Sequence, residues 1–221
     1  LKTTNLNHAY LKDANVSYAH LNGSNLDHAH LEGTDLGHAF LEGAYLGYAK
    51  LSPETDLQNV TWGSILGDER DKRFGEAADA YRRLKQWHTD AGIYEVAGKF
   101  FYREMEAKRK ALSWKKNIFP KLWHWILRLL CGYGEKPERT AVSALVIIFG
   151  LAVIYFAIGT LEPNAFLDCL YYSFVSFTAV GYGAWVKESA GWVKWLGVLE
   201  TILGVFMMSL FLVTFTRKMT R

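Results

Sequence analysis

Aliphatic residues recur at every fifth position over the first 51 residues of the chain. The centres of this pattern are Leu1, Leu6, Leu11, Val16, Leu21, Leu26, Leu31, Leu36, Leu41, Leu46 and Leu51. A small residue stands two positions before each of the later ten centres, as Thr4 does before Leu6. A period of five fits neither a helix, which repeats every ~3.6 residues, nor a strand, which alternates. The pattern therefore predicts a solenoid that turns one aliphatic and one small residue inward on each side.

This stretch, residues 1–51, resembles the pentapeptide-repeat family. The resemblance implies a right-handed quadrilateral β-helix with four pentapeptides per coil, so that positions twenty apart stack on its outside. The outer columns are then His8 with His28 and Tyr48, Tyr10 with His30 and Lys50, and His20 with Phe40. We interpret the columns as exposed aromatic ladders rather than a metal site, because no Cys or carboxylate accompanies the histidines at ligand spacing. The phase of the repeat ends at residues 52–54, so residues 52–74 are predicted to be a capping segment and linker.

Apolar residues then change to spacings of three and four over residues 75–113, which predicts two amphipathic helices joined around residues 90–92. This pair resembles a tetratricopeptide-like hairpin, and either partner binding or simple packing fits it. Residues 114–131 mix Trp123 and Trp125 with Lys121 and Arg128. That mixture is typical of a helix that lies in a membrane interface.

Two apolar stretches follow that are long enough to cross a membrane. The first, residues 140–161, contains 22 uncharged residues, or ~33 Å of helix. The second runs from about Trp192 to Thr216. Residues 164–177 lie between them and are too few to cross, so we predict a re-entrant helix with Asn164 as its N-terminal cap.

The segment after this short helix reads Thr178, Ala179, Val180, Gly181, Tyr182 and Gly183. With its flanking helices it resembles the two-transmembrane-helix potassium-channel pore family, over residues 140–216. The resemblance implies a homotetramer in which the backbone carbonyls of Ala179, Val180, Gly181 and Tyr182 replace the hydration shell of K⁺. A second Gly-Tyr-Gly at residues 132–134 has no such helix before it, and we interpret it as the turn into the first span.

Several positions depart from the family's usual filter sequence. Ala179 and Ala184 stand where the family usually has Thr and Asp, and Ser176 replaces an earlier Thr. Tyr171 and Tyr172 occupy the positions of paired tryptophans. Ser176, Ala184, Tyr171 and Tyr172 are therefore candidate filter-support residues. The loss of the Ala179 hydroxyl leaves two alternatives open, a potassium-selective channel and a non-selective cation channel.

The second span carries three further candidates. Glu200 is an ionisable residue inside a spanning helix, and such residues are rarely without a role. Two interpretations remain open: Glu200 supports the filter by bonding the short helix, or it lies at the interface near Lys194. Gly204 is either a gating hinge or a site of close helix packing. Met207 and Met208 are predicted to line or back the inner cavity.

Composition and charge indicate that one part of the chain lies in water and another part in a membrane. The chain is 50% hydrophobic and 21% charged, with the apolar residues concentrated after residue 139. Lys and Arg flank both spans, which predicts that both termini are cytoplasmic. We expect the membrane to be a bacterial inner membrane. Cys131 and Cys169 lie at opposite ends of the first span, so both are expected to be free thiols. Some pentapeptide-repeat proteins mimic the DNA duplex, which requires a strongly acidic surface. The net charge of −4 over residues 1–56 is only weakly acidic, and no nucleic-acid partner is expected.

The predicted fold class is mixed: a β-helix, an α-helical linker, and an all-α two-span pore domain with a re-entrant helix, assembled as a tetramer. The predicted parts are a cytoplasmic repeat domain (residues 1–56), a cytoplasmic cap and helical hairpin (57–113), an interfacial helix and turn (114–138), and a pore domain (139–221).

The predicted function is passive cation conduction, potassium-selective, without a cofactor and with K⁺ as the permeant ion. The repeat domain would gate or anchor the pore, and an unidentified cytoplasmic protein is a candidate partner of this domain. The sequence contains no phosphate loop, nucleophile–base pair or zinc-ligand spacing, so no enzyme activity is expected. The alternative of a different class is a membrane-anchored interaction scaffold, but a pure anchor needs no re-entrant helix.

Overall fold

The computed structural model describes residues 3–113, 118–159, 161–162, 165–180, 187–188, 191 and 193–219. The chain divides into two compact units, Leu1–Trp125 and Ile126–Arg221. Each unit has its own apolar core.

The first unit begins with the repeats, whose successive coils are joined by isolated parallel bridges between residues twenty apart, as in Asn5 with Asn25. The aliphatic centres from Leu6 to Leu41 donate their N–H groups to carbonyls of the next coil, as Leu21 does to Phe40 at 2.9 Å. The aliphatic and small side chains from Leu21 onward are buried together. The inward placement predicted from the five-residue period is confirmed.

The predicted outer columns are also confirmed. His28 stacks on His8 at 4.7 Å and on Tyr48 at 4.9 Å between ring centroids. The rings of Tyr10 and His30, and those of His20 and Phe40, stack at 4.4 and 4.6 Å. A further column, Tyr18 with His38 at 4.8 Å, was not singled out from the sequence.

The coil extends further than residues 1–51. Asp35 bridges to Asp56 and Phe40 to Thr61, so the pairing interval lengthens by one residue. The repeat phase does change at residues 52–54, but the coil continues with Leu57 buried in the aliphatic position. Thr55 fills the small position and donates its hydroxyl to the Leu31 carbonyl at 2.6 Å. The prediction of a cap and linker from residue 52 is therefore wrong for residues 55–61, because a single inserted residue keeps the stacking.

Helices complete the first unit. Helix α1 (Gly67–Arg70) covers the end of the coil, where the Gly67 N–H bonds the Ala44 carbonyl at 2.9 Å. Helices α2 (Phe74–Asp90) and α3 (Tyr94–Ala111) form the predicted hairpin, which turns at Gly92 with a φ of 75°. Buried residues of α2, such as Tyr81 and Leu84, join the core of the coil. Helix α4 (Ile118–Cys131) exposes Phe119, Trp123 and Trp125.

The second unit contains the apolar helices. After a 3₁₀ turn at Gly132–Gly134, helix α5 (Pro137–Ile158) begins with Pro in its first turn, where no N–H is needed, and ends at a left-handed Gly159. Strand β1 (Leu161–Glu162) pairs antiparallel with strand β2 (Lys187–Glu188). Helices α6 (Phe166–Thr178) and α7 (Val193–Met219) complete the unit.

Two of these helices can cross a membrane by length and composition. Their mean hydropathies are 2.7 over Pro137–Ile158 and 2.2 over Lys194–Thr216. Within one chain only 17% and 22% of these windows are buried, so most of their apolar surface faces outward. Cys131 and Cys169 are buried free thiols, as expected.

Candidate ion-conducting site

Helix α6 packs against both apolar helices of the second unit. Its 13 residues extend ~20 Å, which is too short to cross a membrane. Cys169 and Tyr172 are buried against Tyr155 of α5, and Phe177 is buried between Ile148 of α5 and Met207 of α7. One face of the short helix is therefore packed against α5 and α7, whereas Leu167, Tyr171 and Phe174 are exposed on this chain.

The N-terminus of α6 differs from the sequence prediction. The capping residue is Ala165, in extended conformation and without a side-chain hydrogen bond. Asn164, the residue predicted to cap this helix, lies outside the described residues. Asp168 in the first turn still places negative charge at the positive end of the helix dipole.

The C-terminus of α6 leads directly into the candidate filter. Thr178 is the last helical residue, and its hydroxyl donates to the Phe174 carbonyl at 2.8 Å. Ala179 follows in left-handed conformation, with φ 56° and ψ 24°, and Val180 is exposed. The remaining predicted filter positions lie outside the described residues: Gly181, Tyr182, Gly183 and Ala184. Two of the four residues whose carbonyls were expected to bind K⁺ are thus described, Ala179 and Val180.

Glu200 of α7 joins all three helices although it is only 2% exposed. One carboxylate oxygen accepts the hydroxyl of Tyr155 of α5 at 2.8 Å, and the other accepts the hydroxyl of Ser173 of α6. Ser173 also lies 2.9 Å from the Ile148 carbonyl of α5. The sequence suggested that Glu200 bonds the short helix, and the structure places it there. Tyr155 and Ser173 were missed, and their only sequence signal is a polar group within an apolar helix.

The other filter-support candidates divide between buried and exposed positions. Tyr172 is buried in edge contact with Tyr155, at 5.1 Å between ring centroids, whereas Tyr171 is exposed on this chain. Ser176 is buried and donates its hydroxyl to the Tyr172 carbonyl at 2.8 Å. The Ser176 carbonyl accepts the hydroxyl of Thr201 of α7 at 2.9 Å, a contact that the sequence analysis did not foresee.

Gly204 of α7 lies directly against the backbone of α6. A Cβ added there would collide with the Phe177 carbonyl, whose carbon would be only 2.7 Å away. Close packing at Gly204 is therefore a feature of the structure, and the hinge interpretation stays a prediction. Met207, next along the same helix, is buried against Phe177, whereas Met208 is exposed on this chain.

Among the described residues of the first unit, one cluster of carboxylates has the spacing of metal ligands. The carboxylates of Asp27, Asp68 and Glu76 lie within 4.8 Å of one another. The Arg73 guanidinium lies among them, at 2.8 Å from Asp27, 2.7 Å from Asp68 and 2.6 Å from Glu76. This cation occupies the position between the carboxylates, and we interpret the cluster as a structural ion-pair network.

In the second unit, two apolar helices long enough to cross a membrane pack against one face of a short helix. In a comparison with family models, residues 141–221 match the family described as ion channel. Residues 4–43 and 24–52 each match the family described as pentapeptide repeats (8 copies). The chain is therefore a membrane protein that joins pentapeptide repeats to a segment of the ion-channel family. The resemblances to these two families are confirmed, and that of the helical hairpin to a tetratricopeptide repeat stays a prediction. No match was found among curated proteins or among solved structures.

Proposed function

We propose that four copies of this chain form a potassium-selective channel whose filter is residues 178–183. The observation that carries the proposal is the end of α6. One face of this helix packs against two apolar helices, and its C-terminus, the negative end of its dipole, leads directly to Ala179 and Val180. The negative end of a helix inside a membrane attracts a cation. Irregular backbone at that depth is tolerated only where it lines a water-filled cavity or is buried in protein.

In this proposal K⁺ is the permeant ion and binds the backbone carbonyls of Ala179, Val180, Gly181 and Tyr182, without any other cofactor. Glu200 supports the filter from behind through the hydroxyl of Ser173 on α6. The innermost ring lacks the hydroxyl oxygens that Thr would supply, because Ala179 has none. For this reason a non-selective cation channel is the second candidate, and a measurement of selectivity separates the two.

The proposal includes the architecture around the pore. Both termini are cytoplasmic in a bacterial inner membrane, and the repeats form a right-handed quadrilateral β-helix that gates or anchors the pore. The bridges at intervals of twenty residues support the β-helix. The proposal keeps the parts predicted from sequence, with boundaries after residues 113 and 138, and moves the first boundary from residue 56 to residue 61, where the coil pairing ends. The exposed aromatic columns leave a scaffold function for the repeats as a candidate of a different class.

The test is cation flux into liposomes that contain the purified full chain. We expect potassium uptake that Gly181→Asp abolishes, because a side chain and a negative charge would disturb the carbonyl ring at the filter. Gly191→Asp is the matched control, since a Cβ at Gly191 meets no described atom within 4 Å. We expect that variant to conduct like the parent.

Three results would contradict the proposal. Absence of flux from the reconstituted parent chain would favour the scaffold function. Undiminished flux through Gly181→Asp would show that conduction does not use residues 178–183. Reversal potentials that are equal in potassium and sodium would select the non-selective channel instead.

A further inference from the structure

The last turn of α6 ends against one face of α7. The Ser176 carbonyl accepts two hydrogen bonds, one from the Thr201 hydroxyl at 2.9 Å and one from the Ala179 N–H at 3.2 Å. This single carbonyl therefore connects the second spanning helix to the residue with which the non-helical part of the filter begins.

Ala179 depends on this connection for its conformation. Its φ of 56° lies in the left-handed region, which residues other than glycine rarely adopt unless the surrounding structure imposes it. The bond from the Ala179 N–H to the Ser176 carbonyl closes this turn. The direction of that carbonyl consequently decides where Ala179 and Val180 point.

Thr201 lies between two acceptors. Its hydroxyl oxygen is 2.9 Å from the Ser176 carbonyl and also 2.9 Å from the carbonyl of Gly197, one turn earlier in α7. A threonine hydroxyl has one proton, so the side chain shares it between its own helix and α6. A valine at this position would have nearly the same shape but no proton to share.

Gly204 extends the same contact by one turn. Residues three apart lie on the same face of a helix, so Thr201 and Gly204 face α6 together. The Phe177 carbonyl occupies the space that a side chain at Gly204 would need. Two successive carbonyls at the end of α6, those of Ser176 and Phe177, are thus fixed by one face of α7.

We propose that Thr201 is a positioning residue for ion selectivity. Its hydroxyl holds the Ser176 carbonyl, and this carbonyl sets the turn from which the filter carbonyls continue. The inference rests on the proposed channel function, and it assigns part of the selectivity to a side chain outside the filter sequence.

The experiment compares Thr201→Val with the parent chain in planar bilayers, with the sodium-to-potassium permeability ratio taken from reversal potentials. We expect Thr201→Val to raise this ratio about fivefold, which corresponds to the loss of one hydrogen bond of about 1 kcal/mol. Thr201→Ser keeps the hydroxyl and should restore the parent ratio. Thr214→Val is the matched control, because the buried Thr214 hydroxyl bonds the Phe211 carbonyl of its own helix at 2.9 Å.

The outcomes separate this inference from the proposed function. A parent chain that conducts no cations overturns both. A selective parent with an equally selective Thr201→Val overturns the positioning role alone. If Thr201→Val fails to reach the oligomeric size of the parent, Thr201→Ser and Thr201→Cys are compared instead, since a thiol is a weak donor. Selectivity that falls from Ser to Cys supports the inference, and equal selectivity overturns it.

Discussion

The hydroxyl of Tyr155 donates a 2.8 Å hydrogen bond to the carboxylate of Glu200, which ties the first spanning helix to the second. The other oxygen of the same carboxylate accepts the hydroxyl of Ser173, so the short helix between them is tied as well. Two hydroxyl donors satisfy one buried carboxylate, as buried polar groups require. Glu200 is therefore the residue through which the three helices of the second unit are held in one arrangement.

Glu200→Leu should destabilise the second unit. It leaves the buried hydroxyl of Tyr155 without this acceptor, and an unsatisfied buried group costs about 1–3 kcal/mol. Ser173 keeps the Ile148 carbonyl as an acceptor and should contribute less to the loss. We expect a lower melting temperature of the detergent-solubilised oligomer.

Tyr155→Phe is the informative companion to Glu200→Leu. It removes one donor and keeps the ring that packs on Tyr172. If the hydrogen bonds are the cause, the double variant should be no less stable than Glu200→Leu alone. Additive losses would show that the two residues act independently.

Gly204→Ala should impair assembly because its Cβ would collide with the backbone of Phe177. Backbone cannot move aside as a flexible side chain can, so α6 and α7 must separate. Gly150→Ala is the control within α5, where a Cβ meets none of the described atoms within 4 Å. We expect a reduced yield of oligomer for Gly204→Ala and a normal yield for Gly150→Ala, measured by size-exclusion chromatography.

The same pair of variants distinguishes packing from hinge motion at Gly204. If Gly204 serves only as a hinge, Gly204→Ala should assemble normally and change only the fraction of time that the channel is open. Single-channel recording of the assembled variant would show this directly.

Ala179→Ser should strengthen potassium selectivity. The substitution supplies one hydroxyl oxygen per subunit at the innermost ring of the proposed filter. Serine is preferable to threonine here, because a β-branched residue is strongly disfavoured at the left-handed φ of 56° found for Ala179. We expect a several-fold lower sodium-to-potassium permeability ratio, and an unchanged ratio would argue that Ala179 does not contribute to an ion site.

The repeats could be predicted from sequence because one residue type recurs at one fixed interval. The five-residue period alone predicts that Leu26 and Leu31 are buried. Four repeats per coil place residues twenty apart next to each other, which predicts the stacking of His8 on His28. The continuation through Leu57 could not be predicted in this way. It depends on one inserted residue, and only the bridge from Asp35 to Asp56 shows that stacking survives the insertion.

The candidate site was predictable in part. A charge within an apolar helix identified Glu200, and the order of spans and short helix indicated the candidate filter segment, which stays a prediction. The partners Tyr155 and Ser173 depend on how each helix is rotated about its own axis. Helices α5 and α7 are apolar on all sides, so neither has a polar face that would show which side turns toward α6. The sequence of each helix therefore does not determine its rotation.

His88 should make the helical hairpin sensitive to acid. It is buried, its Nδ1 lies 2.7 Å from the Leu84 carbonyl, and the rings of Trp87 and Phe100 lie beside it. Burial lowers the pKa of His88 below its usual value of 6.5. The unfolded hairpin therefore binds a proton more readily than the folded one, and the stabilisation present above pH 6.5 is lost as the pH falls through 6.5 toward the lowered pKa.

Hydrogen exchange of α2 and α3 in the full chain, corrected for intrinsic rates, measures this loss. Exchange should become faster as the pH falls from about 7.5 to about 5.5, a range that spans the ordinary pKa of histidine. His88→Phe should remove most of that acceleration. His38→Phe, at an exposed position of the aromatic columns, should retain it. Equal pH profiles for the parent and His88→Phe would refute the role of His88.

Arg73→Met should loosen the contact between the coil and its helical cap. Arg73 pairs with Asp27, Asp68 and Glu76, and the side chain of Asp68 is fully buried. Removing the partner of a buried charge costs about 3–5 kcal/mol, and less is expected here because the Arg73 side chain is 35% exposed. The effect is measured by hydrogen exchange at residues 44–48, where the Leu46 N–H bonds Asp68 at 2.9 Å. The exposed Arg82, which pairs with Asp79, provides the control Arg82→Met, and we expect little change there.

Acid should partly rescue Arg73→Met. Burial raises the pKa of Asp68 above its usual value of 3.8, and the neighbouring Asp27 and Glu76 act in the same direction, whereas Arg73 opposes them. The folded form therefore binds the proton more tightly than the unfolded form, so this contribution to stability is complete below pH 3.8 and is lost as the pH rises through the raised pKa. Without Arg73 the pKa of Asp68 should rise further, because the cation that lowered it is gone. The difference in hydrogen-exchange rate between the parent and Arg73→Met should accordingly become smaller as the pH falls toward 3.8. A difference that stays constant with pH would show that the contribution of Arg73 does not depend on the charge of these carboxylates.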